Sequence, residues 1–262
     1  MSRTKSTFGD GVENPAKYII SLKQSEEKGT AWFDTFNRVT KTTVPTPETL
    51  TFAFLDRTFS RGKYDPKSRV RHYTTEYHYK SEVVRLTEKT ILPSGNEKKE
   101  TVFDGTVEAL AKSSRWGELL GTSIHIYAYC LELGAIVKID FSAGGRSLFI
   151  DFQGTLSREK SQAFEFTLGN RRRTAEEKIK KWAIFVPTFT LVEPDDFYLD
   201  VSEQTINNAS KEVDAYFDYY AKTGKPAATD DSADATTPPA SDNRGFTNTH
   251  PGVDGEDDDL PF

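Results

Sequence analysis

The chain has 262 residues, with 34 lysines and arginines against 40 aspartates and glutamates, for a net charge of −6. That length allows one large domain or two small ones. One cysteine, Cys130, excludes an internal disulfide and a cysteine-built zinc site, and no run reaches the ~18 apolar residues of a membrane span.

Residues 1–14 are polar and read as a flexible N-terminus. They carry charge but no apolar run, so no secretory signal is expected, and the expected compartment is the cytoplasm (a host's, if the protein is viral). Tyr18 to Leu22 and Ala31 to Val39 read as short strands. After the break at Val44-Pro-Thr-Pro47, Leu50, Phe52 and Phe54 alternate with Thr51 and Ala53, the period of a half-buried strand. Residues 57–68 read as a basic loop, and 69–89 as one long strand or a bent pair. Pro93-Ser-Gly95 marks a turn. Val107, Leu110 and Ala111 have helical spacing, which predicts a first helix within 105–120.

A β-rich block follows. Ile124 to Leu133 is β-branched and aromatic, and Val137, Ile139 and Phe141 alternate with Lys138 and Asp140. Ala143-Gly-Gly145 reads as a hairpin turn, with Leu148, Ile150 and Phe152 on the returning strand. Phe164, Phe166 and Leu168 predict a further strand. Trp182 to Val192 reads as the last, where Pro187 points to an edge or a bulge. Residues 203–222 read as a helix, with Ile206, Val213, Tyr216, Phe217 and Tyr220 near one face and Gly224 and Pro226 to stop it.

Many short strands with one intervening helix predict a mainly β fold. The expected form is an OB-fold-like Greek-key barrel with insertions, a C-terminal helix and a disordered acidic tail. Its divisions are a flexible stretch 1–14, an OB-like body 15–223, a disordered linker 224–255 and an acidic tip 256–262. The linker is built from Ala, Thr, Ser, Asp, Pro and Gly, which bury too little apolar surface to order themselves. Residues 226–262 hold nine acids and one base, so residues 1–225 carry a net charge of +2. An acidic tail therefore hangs on a mildly basic body.

Residues 57–80 contain seven bases and two acids. Read with period two, one face of 69–79 carries Arg69, Arg71, Tyr73, Thr75, Tyr77 and Tyr79, and neither face is aliphatic. Arginine and lysine neutralise backbone phosphates, and tyrosine offers a π-face on which an unpaired base stacks. The expected strand-binding residues are Arg57, Arg61, Lys63, Tyr64, Lys67, Arg69, Arg71, Tyr73, Tyr77 and Tyr79. A second basic patch at Arg171, Arg172 and Arg173 joins them, though a solvated loop or helical turn accounts for it equally well. His72 and His78 read as surface histidines, and Trp116 as a packing residue.

No phosphate-binding loop, His-Glu-x-x-His or paired Cys-x-x-Cys is present, so neither an enzyme nor a cofactor or metal is expected. The chain ends Gly255-Glu-Asp-Asp-Asp-Leu-Pro-Phe262. This ending resembles the C-terminal tip of bacterial single-stranded DNA-binding proteins, and the whole layout is similar to the bacteriophage type, with an OB-type core and an acidic tail. The resemblance implies that Asp257, Asp258, Asp259, Leu260, Pro261 and Phe262 dock onto replication and recombination enzymes. Chemically, Phe262 is an apolar anchor whose carboxylate an arginine can hold, and the aspartates steer it toward basic surfaces. The expected function is a protein that coats and protects single-stranded DNA with little sequence preference and recruits enzymes. Alternatives are a phage strand-annealing or recombination mediator, a nuclease or accessory factor carrying the same tip, and an RNA-binding module. No membrane partner is expected.

Overall fold

Alternating apolar side chains and β-branched runs build a large sheet. The computed structural model describes residues 12–25, 30–47, 49–65, 67–92, 94–113, 116, 120–141, 149–150, 152–154, 165–174, 183–192 and 201–223. The strands are β1 (Tyr18–Ser25), β2 (Thr30–Asn37), β3 (Thr42–Val44), β4 (Leu50–Asp65), β5 (Val70–Thr74), β6 (Val83–Ile91), β7 (Glu97–Thr106), β8 (Gly121–Cys130), β9 (Ala135–Phe141), β10 (Glu165–Thr174) and β11 (Ala183–Leu191). The helices are α1 (Val107–Lys112) and α2 (Glu203–Thr223). The chain is thus mainly β with a C-terminal helix, and no described helix is long and apolar enough to cross a membrane.

The strands join in one sheet, in the order β3-β2-β1-β9-β8-β4-β5-β6-β7, with β10 beside β4 and β11 beside β10. Among the described strands, β1 and β9 form the parallel pair, with Tyr18 opposite Val137. Strand β4 is the spine. Its residues Phe52 to Gly62 pair with β8, while its other edge is shared by β10 at Leu50–Ala53 and β5 at Gly62–Asp65. Strand β11 comes back beside β1, so the sheet curls.

The inner face of that curl holds the main core. Ile20, Phe33, Leu50, Phe52, Phe59, Ile124, Ile126, Val137, Ile139 and Phe141 meet there, closed by Val84, Leu86, Val107, Leu110 and Phe149. Removing this apolar surface from water drives the curl, at roughly 25 cal/mol per Å². The outer face carries a smaller cluster in which Ala209 and Val213 of α2 pack on Ala16, Tyr127 and Ile136. Helix α1 is set by Thr106, whose hydroxyl accepts the Ala109 N–H at 3.1 Å.

A bulge controls which side chains of β4 face which way. The register shifts between Phe54 and Asp56, so Asp56 sits opposite Tyr127 and Arg57 opposite Ile126. Beyond the bulge the inner face therefore takes Arg57, Phe59, Arg61 and Lys63. The outer face takes Thr58, Ser60, Gly62 and Tyr64.

Several expectations change. Residues 57–65 are strand, not loop, because β4 runs on past its bulge with a partner on both edges. The stretch 69–89 is a bent pair, broken at 75–82. Strand β7 occupies 97–106, and the helix expected within 105–120 is confined to Val107–Lys112. Phe149, Ile150 and Phe152 lie in helical turns instead of a returning strand, yet all three still pack on the core. Strand β10 runs through Arg171–Arg173, where a loop or helical turn was the alternative. The turn at 143–145, Trp182, the N-terminal residues 1–11, the linker and the tip lie outside the described residues.

Candidate nucleic-acid interface

Strands β4 to β7 extend from the curl as a four-stranded ribbon, and registry brings basic residues into line across it. Tyr64 lies opposite Arg71, Arg71 opposite Lys89, and Lys89 opposite Lys99. One row across four strands thus reads Tyr, Arg, Lys, Lys. The next row on this outer face reads Gly62, Tyr73, Thr87, Thr101. The intervening row, on the inner face, reads Lys63, His72, Glu88, Glu100, and there His72 Nε2 meets Glu88 at 3.0 Å. Like charges directly opposite one another destabilise a sheet. The inner row sets Glu88 opposite Glu100 with His72 and Lys63 beside them, and the outer row holds three lysine and arginine residues, of which Lys89 is neutralised by Glu97.

Local geometry arranges these groups. Tyr73 lies across from Gly62, where a Cβ would approach the His72 carbonyl oxygen to 3.1 Å, so the missing side chain lets β5 close in. The Arg71 guanidinium lies 5.8 Å from the centroid of the Tyr73 ring, a cation–π contact. Tyr64 is 46% exposed. Lys89 is buried and tied to Glu97 at 2.6 Å. Lys67 and Arg69 are exposed in the β4–β5 turn, where Arg69 takes the left-handed backbone at φ 54°. That conformation costs an arginine about 1–2 kcal/mol, and such strain clusters at functional sites.

The structure therefore gathers Lys63, Tyr64, Lys67, Arg69, Arg71 and Tyr73 on one hairpin. It separates the rest. Tyr77 is only 7% exposed and packs 6.0 Å from Phe59 in the main core, so it presents no face for stacking. The irregular backbone at 75–76 breaks the alternation that placed it beside Tyr73. Tyr79 is 59% exposed but lies in the β5–β6 connection, beyond the far end of β5 from the hairpin turn. Arg57 lies on the inner face, its guanidinium over the Phe59 ring at 5.0 Å and bonded to Gln153. Burial pulls its pKa down, and Asp56 opposes that shift. Arg61 is half-buried on the same face. Arg171, Arg172 and Arg173 lie on β10, in register with Val186, Phe185 and Ile184 of β11. Trp116 packs against the core and against His72, 4.5 Å between ring centroids.

Sequence reading missed Lys89 and Lys99, and it missed a polar network beside α2. Glu76 Oε1 meets Lys138 Nζ at 2.6 Å, while its Oε2 accepts Thr58 Oγ1 at 2.6 Å and Tyr127 OH at 3.0 Å. Burial alone would raise the Glu76 carboxyl, but the charges of Lys138 and His125 and the hydrogen bonds hold it below its ordinary value. His125 bridges Asp140, at 2.6 Å from Nδ1, and Ser60, at 2.7 Å from Nε2. That order matches a nucleophile, base and orienting acid. Yet Ser60 sits in extended β4 with its backbone in the β4–β8 ladder, and among the described residues no turn or helix end converges on it as an oxyanion site. The available signal was polar residues (His125, Tyr127, Lys138, Asp140) on alternate positions of two strands whose other face is apolar. Among the described residues no three metal-binding side chains group together. Comparison with known protein families, with characterised proteins and with solved structures finds no match to this chain.

Proposed function

We propose that this protein binds single-stranded DNA, coating and protecting it with little sequence preference during replication or recombination. The observation that carries this reading is the alignment of Tyr64, Arg71 and Lys99 across the outer face of the ribbon, with Tyr73 beside them and Lys89 buried in the same row against Glu97. Cations in line suit a phosphate backbone, and tyrosines beside them suit unpaired bases. Duplex DNA offers phosphates but no free base faces, so the tyrosines favour single strands. The curl from β1 through β9, β8, β4 and β10 to β11 supports an OB-like barrel as the platform. The tip, Asp257 to Phe262, supports recruitment of replication and recombination enzymes, and its acids compete with DNA for the ribbon.

Fluorescence anisotropy of a labelled oligo-dT across a salt series tests this. Full-length protein should bind it more tightly than it binds duplex, with affinity falling as salt rises. Ending the chain at Gly224 should tighten binding. Deleting Phe262 should leave DNA affinity intact and abolish enzyme capture. No binding by either form of the chain would overturn the proposal.

A further inference from the structure

The nucleic-acid reading leaves unused a titratable junction between α2 and the sheet. His78 lies in the β5–β6 connection with Nε2 2.7 Å from Asp56 Oδ2 and Nδ1 3.8 Å from Glu82 Oε1. Glu82 also accepts the His78 backbone N–H at 3.1 Å, which fixes the loop around the ring. The imidazole packs at right angles to Phe217 of α2, with centroids 4.6 Å apart. Phe217 in turn meets Tyr127 of β8 at 5.2 Å. One ring thus touches β4, its own loop and the helix.

We propose that His78 is a proton-operated latch for the C-terminal half of α2: its imidazolium form tightens Asp214–Thr223 against the sheet, and its neutral form loosens them. The charges around it give the mechanism. The groups acting on His78 are Asp56 from β4 and Glu82 and Glu76 from the connection, and on the helix it acts on Asp214, which also feels Asp56 and Asp218. Tyr79 lies alongside, its ring centroid 6.1 Å away, and Tyr127 is the β8 group behind Phe217. Glu76 is already matched by Lys138. Without the proton, Asp56 and Asp214 repel with no imidazolium to offset them, and Glu82 loses its cation. Ala209 and Val213, buried ahead of this cluster, keep the first half of the helix docked, and Tyr216, buried within 214–223, is the apolar anchor to which the latch adds.

The sign of the effect is fixed by the folded-state preference. Burial works against the imidazolium, but the Asp56 hydrogen bond and the carboxylate charges outweigh it and raise the pKa above 6.5. A raised histidine contributes stability that is fully present below its unfolded value and is lost as pH climbs through the folded one. Docking of α2 therefore weakens on the alkaline side of about 6.5.

Hydrogen exchange of the full chain between pH 5.5 and 8.5, corrected for intrinsic exchange, tests the latch. Protection of 214–223 should fall several-fold with rising pH while that of β8 and β9 holds, and the midpoint should coincide with the His78 titration seen by NMR. In His78→Gln the segment should stay weakly protected at every pH. Asp56→Asn should move the midpoint downward. Protection that does not vary with pH, a midpoint away from the His78 titration, or equal loss in β8 and β9 would overturn the latch. None of these readouts involves DNA, so the latch and the nucleic-acid reading stand or fall separately.

Discussion

Tyr73 and Tyr77 are four residues apart and chemically alike, yet one is half-buried on the ribbon and the other is in the core. Tyr73→Ala with Tyr64→Ala should weaken oligo-dT binding by ~1–3 kcal/mol for each stacked base and leave thermal stability nearly unchanged. Tyr77→Ala should lower stability by about 3–5 kcal/mol, the usual loss for a large aromatic in a core. Arg69→Asn should do the reverse of the tyrosine pair: it relieves the left-handed strain, adding up to about 1 kcal/mol of stability, while it weakens binding and flattens its salt dependence. Lys138→Met leaves the buried Glu76 carboxylate without its paired cation and should cost about 3–5 kcal/mol, most of it restored by also replacing Glu76 with Leu. Glu76 has its own signature in acid. Its depressed pKa contributes stability above the ordinary carboxylate range that is lost as pH falls through the folded value. Urea midpoints between pH 6 and pH 3 should therefore fall less steeply in Glu76→Gln. Cys130 is inert by comparison, since burial pushes its thiol up to about 12.

Strands show where the sequence is readable and where it is not. The β8–β9 hairpin was legible because Ile124, Ile126, Val137 and Ile139 alternate cleanly against polar neighbours, and α2 because Val213, Tyr216 and Phe217 recur at helical spacing. Strand β7 was not, because Glu97 to Glu100 carry charge at every position and its pairing is decided by β6. The β4 bulge hides in the run Phe54-Leu55-Asp56, since no residue there announces an extra position, and it decides that Arg57 and Tyr64 take opposite faces. The composition of the proposed binding stripe was visible in 57–80, but the row Tyr64, Arg71, Lys89 and Lys99 was not, because its members are aligned by register between strands up to 35 residues apart. Replacing Arg71 and Lys99 together by Ala should reduce the salt slope of oligo-dT binding by about 0.7 for each phosphate left without its cation, with little change in folding.

Seen entire, the chain places its ribbon and its last helix on a shared spine. Strand β4 carries Tyr64 at one end, the bulge with Asp56 in its middle, and Leu50 and Phe52 in the core at the other. The order of the elements has a further consequence, for the time at which this architecture can form. Strand β1 pairs in parallel with β9, so Tyr18 meets Val137 only after 119 further residues have been added. At ~5–20 residues per second of synthesis, Ile19 and Ile20 wait roughly 6–24 s on the ribosome for their permanent partners. During that interval the β1–β2 hairpin shows an unpaired edge, and the closing of a long loop makes the final pairing slow. A nascent chain arrested before β9 should therefore be protease-sensitive in β1, and become resistant once Phe141 has cleared the exit tunnel.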